Sequence, residues 1–76
     1  MLNHVLQVQW KYRTPLGMEP YDPEVNVIIE VAYANKRPSV TLDLEEGKVR
    51  IDFQQMQEIS YAGVLNVLRV DSLKGT

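Results

Sequence analysis

The sequence contains no cysteine, and it has only one tryptophan and one phenylalanine among its 76 residues. The absence of cysteine excludes a disulfide framework, a cysteine-based zinc site and a thiol nucleophile. No apolar run approaches the roughly 20 residues that a membrane-spanning helix needs, and no signal-peptide pattern is present. The setting we expect is therefore intracellular, in the nucleus, the cytoplasm or both.

An excess of positive charge is also lacking. The eight basic and ten acidic residues leave a net charge of −2, whereas a protein that grips a nucleic-acid backbone is normally basic. The composition therefore argues against a dedicated DNA or RNA binder. The apolar fraction of 45% and the charged fraction of 24% are typical of a globular fold. We expect one small domain over residues 5–72, with residues 1–4 and 73–76 as flanking segments of a longer parent protein.

No arrangement of catalytic or metal-binding residues is visible. The chain has no glycine-rich phosphate loop and no Ser/His/Asp set, and His4 has no partner at metal-ligand spacing. Asp52 has no second acid or base placed to work with it. We expect its carboxylate to accept hydrogen bonds from backbone amides of the following turn. The sequence thus predicts no enzyme, no metal site and no cofactor.

The first quarter of the chain predicts a β-hairpin. Bulky and polar residues alternate over residues 5–12, which is typical of a half-buried strand. Proline and glycine at positions 15 and 17 predict a turn, and the chain returns over residues 18–21. Trp10 is expected to fill the core, with a place in the wall of a ligand pocket as the alternative.

One amphipathic helix is predicted after this hairpin. Asp22 is suited to accept hydrogen bonds from the first free amides, Pro23 fits the first helical position, and Pro38 ends the helix. The apolar face that follows from the spacing comprises Val25, Ile28, Ile29, Ala32 and Tyr33. Val27 and Val31 lie off this face, on a side that Asn26 and Glu30 make polar. They are either ordinary exposed residues or the edge of a partner surface.

The second half of the chain predicts three strands, over residues 39–44, 48–53 and 64–70, because apolar and polar residues alternate there. Residues 54–59 predict a turn or a single helical turn. The fold class is therefore α+β, with a strongly bent antiparallel sheet, a half-barrel of about five or six strands, packed on one amphipathic helix.

Several separated motifs resemble the WWE domain. Trp10 matches the first tryptophan of that family, and Glu30 matches its glutamate. The Y-D-P-E sequence of residues 21–24 and the R-I-D-F-Q-Q-M sequence of residues 50–56 also fit the family in order and spacing. Met18 stands where the second tryptophan is expected, which keeps an apolar filler. The resemblance covers residues 8–70.

The resemblance implies a module of ubiquitin ligases and poly(ADP-ribose) polymerases, whose best understood members bind iso-ADP-ribose. In those members a tyrosine precedes the I-D-F element by two positions and stacks near the adenine, and here that position is Val49. A glutamine two places after the methionine bonds the ligand, and here it is Glu58, with Gln57 one place early. The arginine that meets a phosphate is replaced by Asn66. The ligand-binding positions so implied are Trp10, Tyr12, Val49, Gln57, Glu58, Asn66 and Arg69.

These substitutions are expected to weaken the familiar ligand. Losing a stacking aromatic removes about 1–3 kcal/mol, and losing a charge-assisted hydrogen bond to phosphate removes about 1.5–3 kcal/mol more. The Glu58 carboxylate adds repulsion toward the ligand phosphates, so the total loss can exceed about 4 kcal/mol, or about a thousandfold in affinity. Compensation is open to Gln57, which can take the place of the glutamine, and to a cation from Lys48, Arg50 or Arg69.

The function we predict is a non-catalytic WWE-type interaction module with weak or absent iso-ADP-ribose binding, in an ADP-ribosylation or ubiquitin signalling protein. The alternative is a reader of ADP-ribose or poly(ADP-ribose) that uses a rearranged pocket. The partner is then a protein or an ADP-ribosylated protein, and neither a membrane nor a nucleic acid is expected. Any enzymatic activity would belong to another domain of a parent ADP-ribosyltransferase or ubiquitin ligase.

Overall fold

Six β-strands and one α-helix make up residues 7–72, the part of the chain that the computed structural model describes. The predictions made for residues 1–4 and 73–76, for His4, and for the start of the first strand at positions 5 and 6 lie outside the described residues. The elements are β1 (Val8–Thr14), β2 (Gly17–Pro20), α1 (Pro23–Ala34), β3 (Ser39–Leu44), β4 (Gly47–Asp52), β5 (Gln57–Ser60) and β6 (Gly63–Asp71).

The strands form one open antiparallel sheet in the order β2-β1-β6-β5-β4-β3. Because the sheet does not close into a barrel, β2 and β3 remain as its two edges. Helix α1 contacts both β1 and β3, so it packs against both halves of the sheet. The predicted α+β class is confirmed. Within residues 7–72, no helix has the length and apolar character that crossing a membrane requires.

The strand predictions are correct except at β5. The hairpin of β1 and β2, the bounds of β3 and the pairing of β3 with β4 all agree with the sequence patterns. Residues 57–60 form a fifth strand where a turn was predicted, and the turn is confined to residues 53–56. All four residues of β5 are half-buried. The sequence of this strand, Gln-Glu-Ile-Ser, has a single apolar residue, so it lacks the alternation of apolar and polar residues that marks a strand in a sequence.

Asp52 takes the predicted structural role. Its Oδ1 accepts hydrogen bonds from the backbone amides of Gln54 at 2.9 Å and Gln55 at 3.1 Å. The turn ends at Met56, whose positive φ of 54° reverses the chain into β5. The Met56 carbonyl then accepts from the Val67 amide at 3.0 Å, which ties the turn to β6.

The helix begins at Pro23 as predicted, but the predicted side-chain cap is wrong. Asp22 is the N-cap residue and its side chain makes no capping hydrogen bond. Its backbone carbonyl accepts instead from the amide of Asn26 at 2.8 Å. The helix ends at Ala34, and Lys36 then takes a left-handed φ of 60° before the chain enters β3.

The buried face of α1 differs from the apolar stripe in the sequence. Asn26 and Glu30, predicted to lie on a polar side, are buried together with Ile29 and Ala32. Ile28 is 50% exposed, and Tyr33, predicted to be core, is 39% exposed. The helix is turned this way because both polar side chains find hydrogen-bond partners in the sheet, which removes the penalty for burying them.

The Asn26 side chain forms hydrogen bonds with the backbone of β1 beyond the residues that pair with β2. Its Oδ1 accepts from the Trp10 amide at 2.7 Å, and its Nδ2 donates to the Val8 carbonyl at 2.7 Å. One amide side chain therefore satisfies two buried backbone groups of β1. The apolar core beside it comprises Val8, Trp10, Tyr21, Ile29, Leu42, Val49, Ile51 and Val67.

Candidate functional site

A cleft of about 800 Å³ opens where the start of α1 meets the β3–β4 turn and the β5–β6 hairpin. Among residues 7–72, its walls carry six carboxylates and no lysine or arginine. Apolar side chains, among them Val25, Leu44 and Leu65, complete the lining. We call this the acidic cleft, and its carboxylates are those of Asp22, Glu24, Asp43, Glu45, Glu46 and Glu58.

The six carboxylates come from four separate segments, which are the start of α1, strand β3, the β3–β4 turn and strand β5. Asp22 and Glu24 flank the first helical position, where the helix dipole favours negative charge. Glu45 and Glu46 form the exposed two-residue turn between β3 and β4. Glu58 lies on β5, next to the cleft-lining Leu65 of β6 in the strand register. The topology brings these acids together.

Two tyrosines and Glu58 form one wall of the acidic cleft. The rings of Tyr12 and Tyr21 lie 4.8 Å apart, and the Tyr21 hydroxyl donates to Glu58 Oε1 at 2.5 Å. Burial raises the pKa of Tyr21, and the hydrogen bond to Glu58 and the charge of that carboxylate raise it further. Burial also raises the pKa of Tyr12, with added contributions from the charges of Glu19 and Glu58. Both phenols are therefore neutral hydrogen-bond donors at physiological pH.

The structure brings only two of the predicted ligand-binding residues, Tyr12 and Glu58, into the acidic cleft. Trp10 is fully buried, which confirms its core role, and it does not line the cleft. Its part in ligand binding stays a prediction. Val49 belongs to the buried core as well, because it faces inward from β4. Gln57 and Asn66 lie opposite each other in the β5–β6 register, outside the cleft lining.

Arg69, the last predicted ligand contact, is held in an ion pair inside the fold. Its Nε and Nη2 donate to the two carboxylate oxygens of Glu30 at 2.9 and 2.8 Å. Glu30 Oε1 also accepts from the indole Nε1 of Trp10 at 2.9 Å. The hydrogen bonds to Glu30 raise the pKa of Arg69. The tryptophan and glutamate that the family pattern shares thus form a structural tie between β1, α1 and β6.

None of the three cations considered as compensation lines the acidic cleft. Arg69 pairs with Glu30, and its guanidinium lies 4.9 Å from the centre of the Tyr33 ring. Lys48 makes an exposed pair with Asp43 at 3.7 Å, and Arg50 projects from the exposed side of β4. Among residues 7–72, no group of three or more histidine or acidic side chains has an arrangement that could hold a metal ion.

Sequence reasoning missed the acidic cleft, although part of its signal was available. Glu45 and Glu46 lie in the turn between β3 and β4, and Asp22 was predicted to be a helix cap. Acids at the start of a helix and at a turn face the same side only when the sheet order is known. The substitution of glutamate at position 58 was the one sequence feature that pointed to negative charge in the family's ligand site.

A second concave surface lies between α1 and the edge strand β3. Val27 and Val31, predicted as the edge of a partner surface, both line it, together with Ile28, Val40 and Arg37. Val31 is 46% exposed. We call this surface the apolar groove. The structure thus places the two valines on one accessible surface, and its role in binding stays a prediction.

Comparison with known proteins agrees with this architecture. The sequence profile of the WWE domain matches residues 8–64, which span β1 to the start of β6. A search of the curated proteins gives no match. WWE domains are binding modules without catalytic activity, and they mediate interactions in ADP-ribosylation and ubiquitin signalling. Because the profile covers most of its length, the chain belongs to the WWE domain family.

Proposed function

We propose that this WWE domain is a protein-interaction module that binds iso-ADP-ribose weakly or not at all. The observation that carries this proposal is the acidic cleft, whose lining within the described residues holds six carboxylates and no basic side chain. The module would serve an intracellular ADP-ribosyltransferase or ubiquitin ligase, whose activity lies in another domain.

Electrostatics opposes a phosphate-bearing ligand in this cleft. A carboxylate 4 Å from a phosphate charge costs about 1 kcal/mol in water and about 4 kcal/mol at a partly buried surface. Glu58 is half-buried and already accepts a hydrogen bond from Tyr21. A ligand phosphate beside Glu58 would therefore meet a fixed negative charge, with no cation in the lining to neutralise either group.

Aromatic contact in the cleft is limited to the tyrosine pair. Tyr12 is half-buried and packs on Tyr21, so part of one ring face is already covered. A base stacked on the remaining face of Tyr12 would gain about 1–3 kcal/mol. One or two carboxylates near the phosphates are enough to offset that gain.

The proposal is tested by amide NMR spectra of the domain during titration with iso-ADP-ribose, with ADP-ribose and ATP in parallel. We expect no saturation up to about 1 mM ligand. Saturable shifts at micromolar ligand, centred on Tyr12 and Glu58, would refute the proposal and support the reader function.

Two variants separate charge from other causes. Glu58→Gln removes a cleft carboxylate and restores the side chain that the family resemblance implies, so we expect it to tighten any residual iso-ADP-ribose binding by about tenfold. Gln55→Lys makes the same change in net charge at an exposed position outside the cleft lining. It should leave binding unchanged. Equal gains in the two variants would show that net charge, rather than the cleft, controls affinity.

A further inference from the structure

Strand β3 is an uncovered edge of the sheet. It pairs with β4 alone, and the Phe53 amide donates to the Pro38 carbonyl at 3.0 Å just before β3 begins. Hydrogen-bonded pairs alternate along an antiparallel ladder, so this bond fixes which residues face outward. The N–H and C=O groups of Ser39, Thr41 and Asp43 point away from β4. Within residues 7–72, no other backbone or side chain bonds these outward groups.

The two edges of the sheet differ in how they are protected. Strand β2 has four residues and ends at Pro20, which has no N–H to donate. Strand β3 has six residues, contains no proline, and carries a single charge, at Asp43. A short strand and a proline are devices that blunt an edge against pairing with another chain. Strand β3 has neither device, so it is the edge open to pairing.

The apolar groove runs beside the first half of β3. Positions 39–41 form one side, and Val27, Ile28 and Val31 of α1 form the other. Val40 and Leu42 face the core side of β3, whereas Ser39 and Thr41 alternate with them. In an added strand, side chains opposite Val40 would point to the same side as Val40. They would therefore enter the groove between β3 and α1.

Arg37 supplies the only charge that the described residues contribute to the lining of this groove. The ion pairs that join basic and acidic residues within positions 7–72 involve Lys48 and Arg69. Arg37 therefore has no carboxylate partner in the described part of the chain. It lies just before β3, at the end of the groove that the C-terminal part of an antiparallel strand would reach. Charge complementarity at this point selects an acidic side chain.

We propose that β3 and the apolar groove bind an extended peptide segment of a partner protein as a seventh, antiparallel strand. This rests on the proposed function as a protein-interaction module and names its docking surface. The peptide has branched apolar side chains that alternate into the groove and an acidic residue on their C-terminal side, beside Arg37. Antiparallel pairing follows because every pair in this sheet is antiparallel and antiparallel ladders are slightly more stable.

The backbone of β3 and the side chains of the groove contribute differently to peptide recognition. Backbone hydrogen bonds to Ser39, Thr41 and Asp43 give affinity without regard to sequence. The groove and Arg37 give specificity, because they accept only alternate apolar side chains and a following carboxylate. A peptide with proline at a bonded position, or with a basic residue at its end, is therefore excluded.

The probe is the blocked peptide acetyl-Thr-Val-Thr-Val-Thr-Asp-amide, followed by amide NMR spectra and hydrogen exchange. In the predicted register its threonines pair with the outward positions of β3, the valine opposite Val40 enters the groove, and its aspartate meets Arg37. We expect shifts and slowed exchange at the amides of Ser39, Thr41 and Asp43. The same peptide with its three threonine amides N-methylated keeps every side chain but loses the donors, and it should not bind.

Matched variants test the groove. Val31→Asp places a charge in the groove and should weaken peptide binding by at least about tenfold. Leu68→Asp introduces the same change on β6, at a residue 47% exposed against 46% for Val31, and should have no effect. Arg37→Glu should weaken the original peptide and bind instead the peptide that ends in lysine.

The outcomes that overturn strand addition are no shift up to about 1 mM peptide, equal binding of the N-methylated peptide, or shifts confined to the acidic cleft. The iso-ADP-ribose titration is independent of these results, because it reports on Tyr12 and Glu58. Micromolar iso-ADP-ribose binding would refute the proposed function, whereas protected β3 amides would still support strand addition.

Discussion

The carboxylate of Glu30 is the group whose loss should destabilise this fold most clearly. Glu30 is 3% exposed, and it accepts hydrogen bonds from Trp10 Nε1 and from two nitrogens of Arg69. Glu30→Ala removes the acceptor of the Trp10 donor and the closer of the two carboxylates that pair with Arg69. We expect the free energy of unfolding to fall by about 3–4 kcal/mol.

This magnitude combines two terms from the geometry. Breaking a buried ion pair by removing one partner costs about 3–5 kcal/mol. The Arg69 side chain is 20% exposed and keeps a contact with Asp71 at 3.6 Å. The cost of breaking its pair with Glu30 is therefore at the lower end of that range. The indole N–H of Trp10 is fully buried, so leaving it unpaired adds about 1 kcal/mol or more.

Urea unfolding followed by the fluorescence of Trp10, the only tryptophan, measures the effect directly. Glu24→Ala is the matched control, because Glu24 is an exposed acid on the same helix and should change stability by less than about 1 kcal/mol. A loss below about 1 kcal/mol for Glu30→Ala would refute the reasoning. The double variant Glu30→Leu with Arg69→Met should recover part of the loss, since neither member of the Glu30–Arg69 pair then remains without the other.

Three further predictions concern stability. Asn26→Ala leaves two backbone groups of β1 unpaired and should cost about 2–4 kcal/mol in urea unfolding, whereas Asn35→Ala, at the exposed helix end, should cost less than about 1 kcal/mol. The raised pKa of Tyr21 predicts stability that is constant up to the usual tyrosine pKa of about 10 and falls at higher pH, because the unfolded state releases the proton first. Tyr21→Phe should flatten that fall, and an unchanged pH profile would contradict it. Gly47→Ala should cost more than about 1 kcal/mol, because Gly47 has a φ of 125°.

The strands and their order along the chain could be predicted where local signals are strong. Alternating residues mark β3, and proline and glycine mark the turn between β1 and β2. Strand β5 could not be predicted, because its residues are all half-buried and do not alternate. It forms because β4 and β6 pair with it from both sides, which is a property of the sheet rather than of the segment.

The orientation of α1 shows why side-chain spacing alone is insufficient. The apolar stripe favours burial of Ile28, yet Asn26 and Glu30 are buried in its place. Their hydrogen-bond partners lie on strands 16 to 39 residues away in sequence. A helical pattern contains no information about such distant partners. The match between Glu30 and the glutamate of the family pattern was the one sequence signal that this residue has a structural role.

The sequence pointed to two residues of the acidic cleft and not to the cleft as a whole. Position 58 indicated a lost ligand contact, and both Tyr12 and Glu58 line the cleft. The other carboxylates belong to a helix start and a turn, each of which is an ordinary place for an acid. Only the sheet topology shows that they share one cleft with Glu58.

We propose that the acidic cleft does not accept a phosphate-bearing nucleotide. Calorimetry tests this most directly, because it measures the dissociation constant of the wild-type domain for iso-ADP-ribose. We expect a dissociation constant larger than about 1 mM, which is equivalent to less than about 4 kcal/mol of binding free energy. A dissociation constant near 1 μM, or about 8 kcal/mol, would contradict it. That result would mean that the six carboxylates do not exclude the ligand that defines the best understood WWE domains.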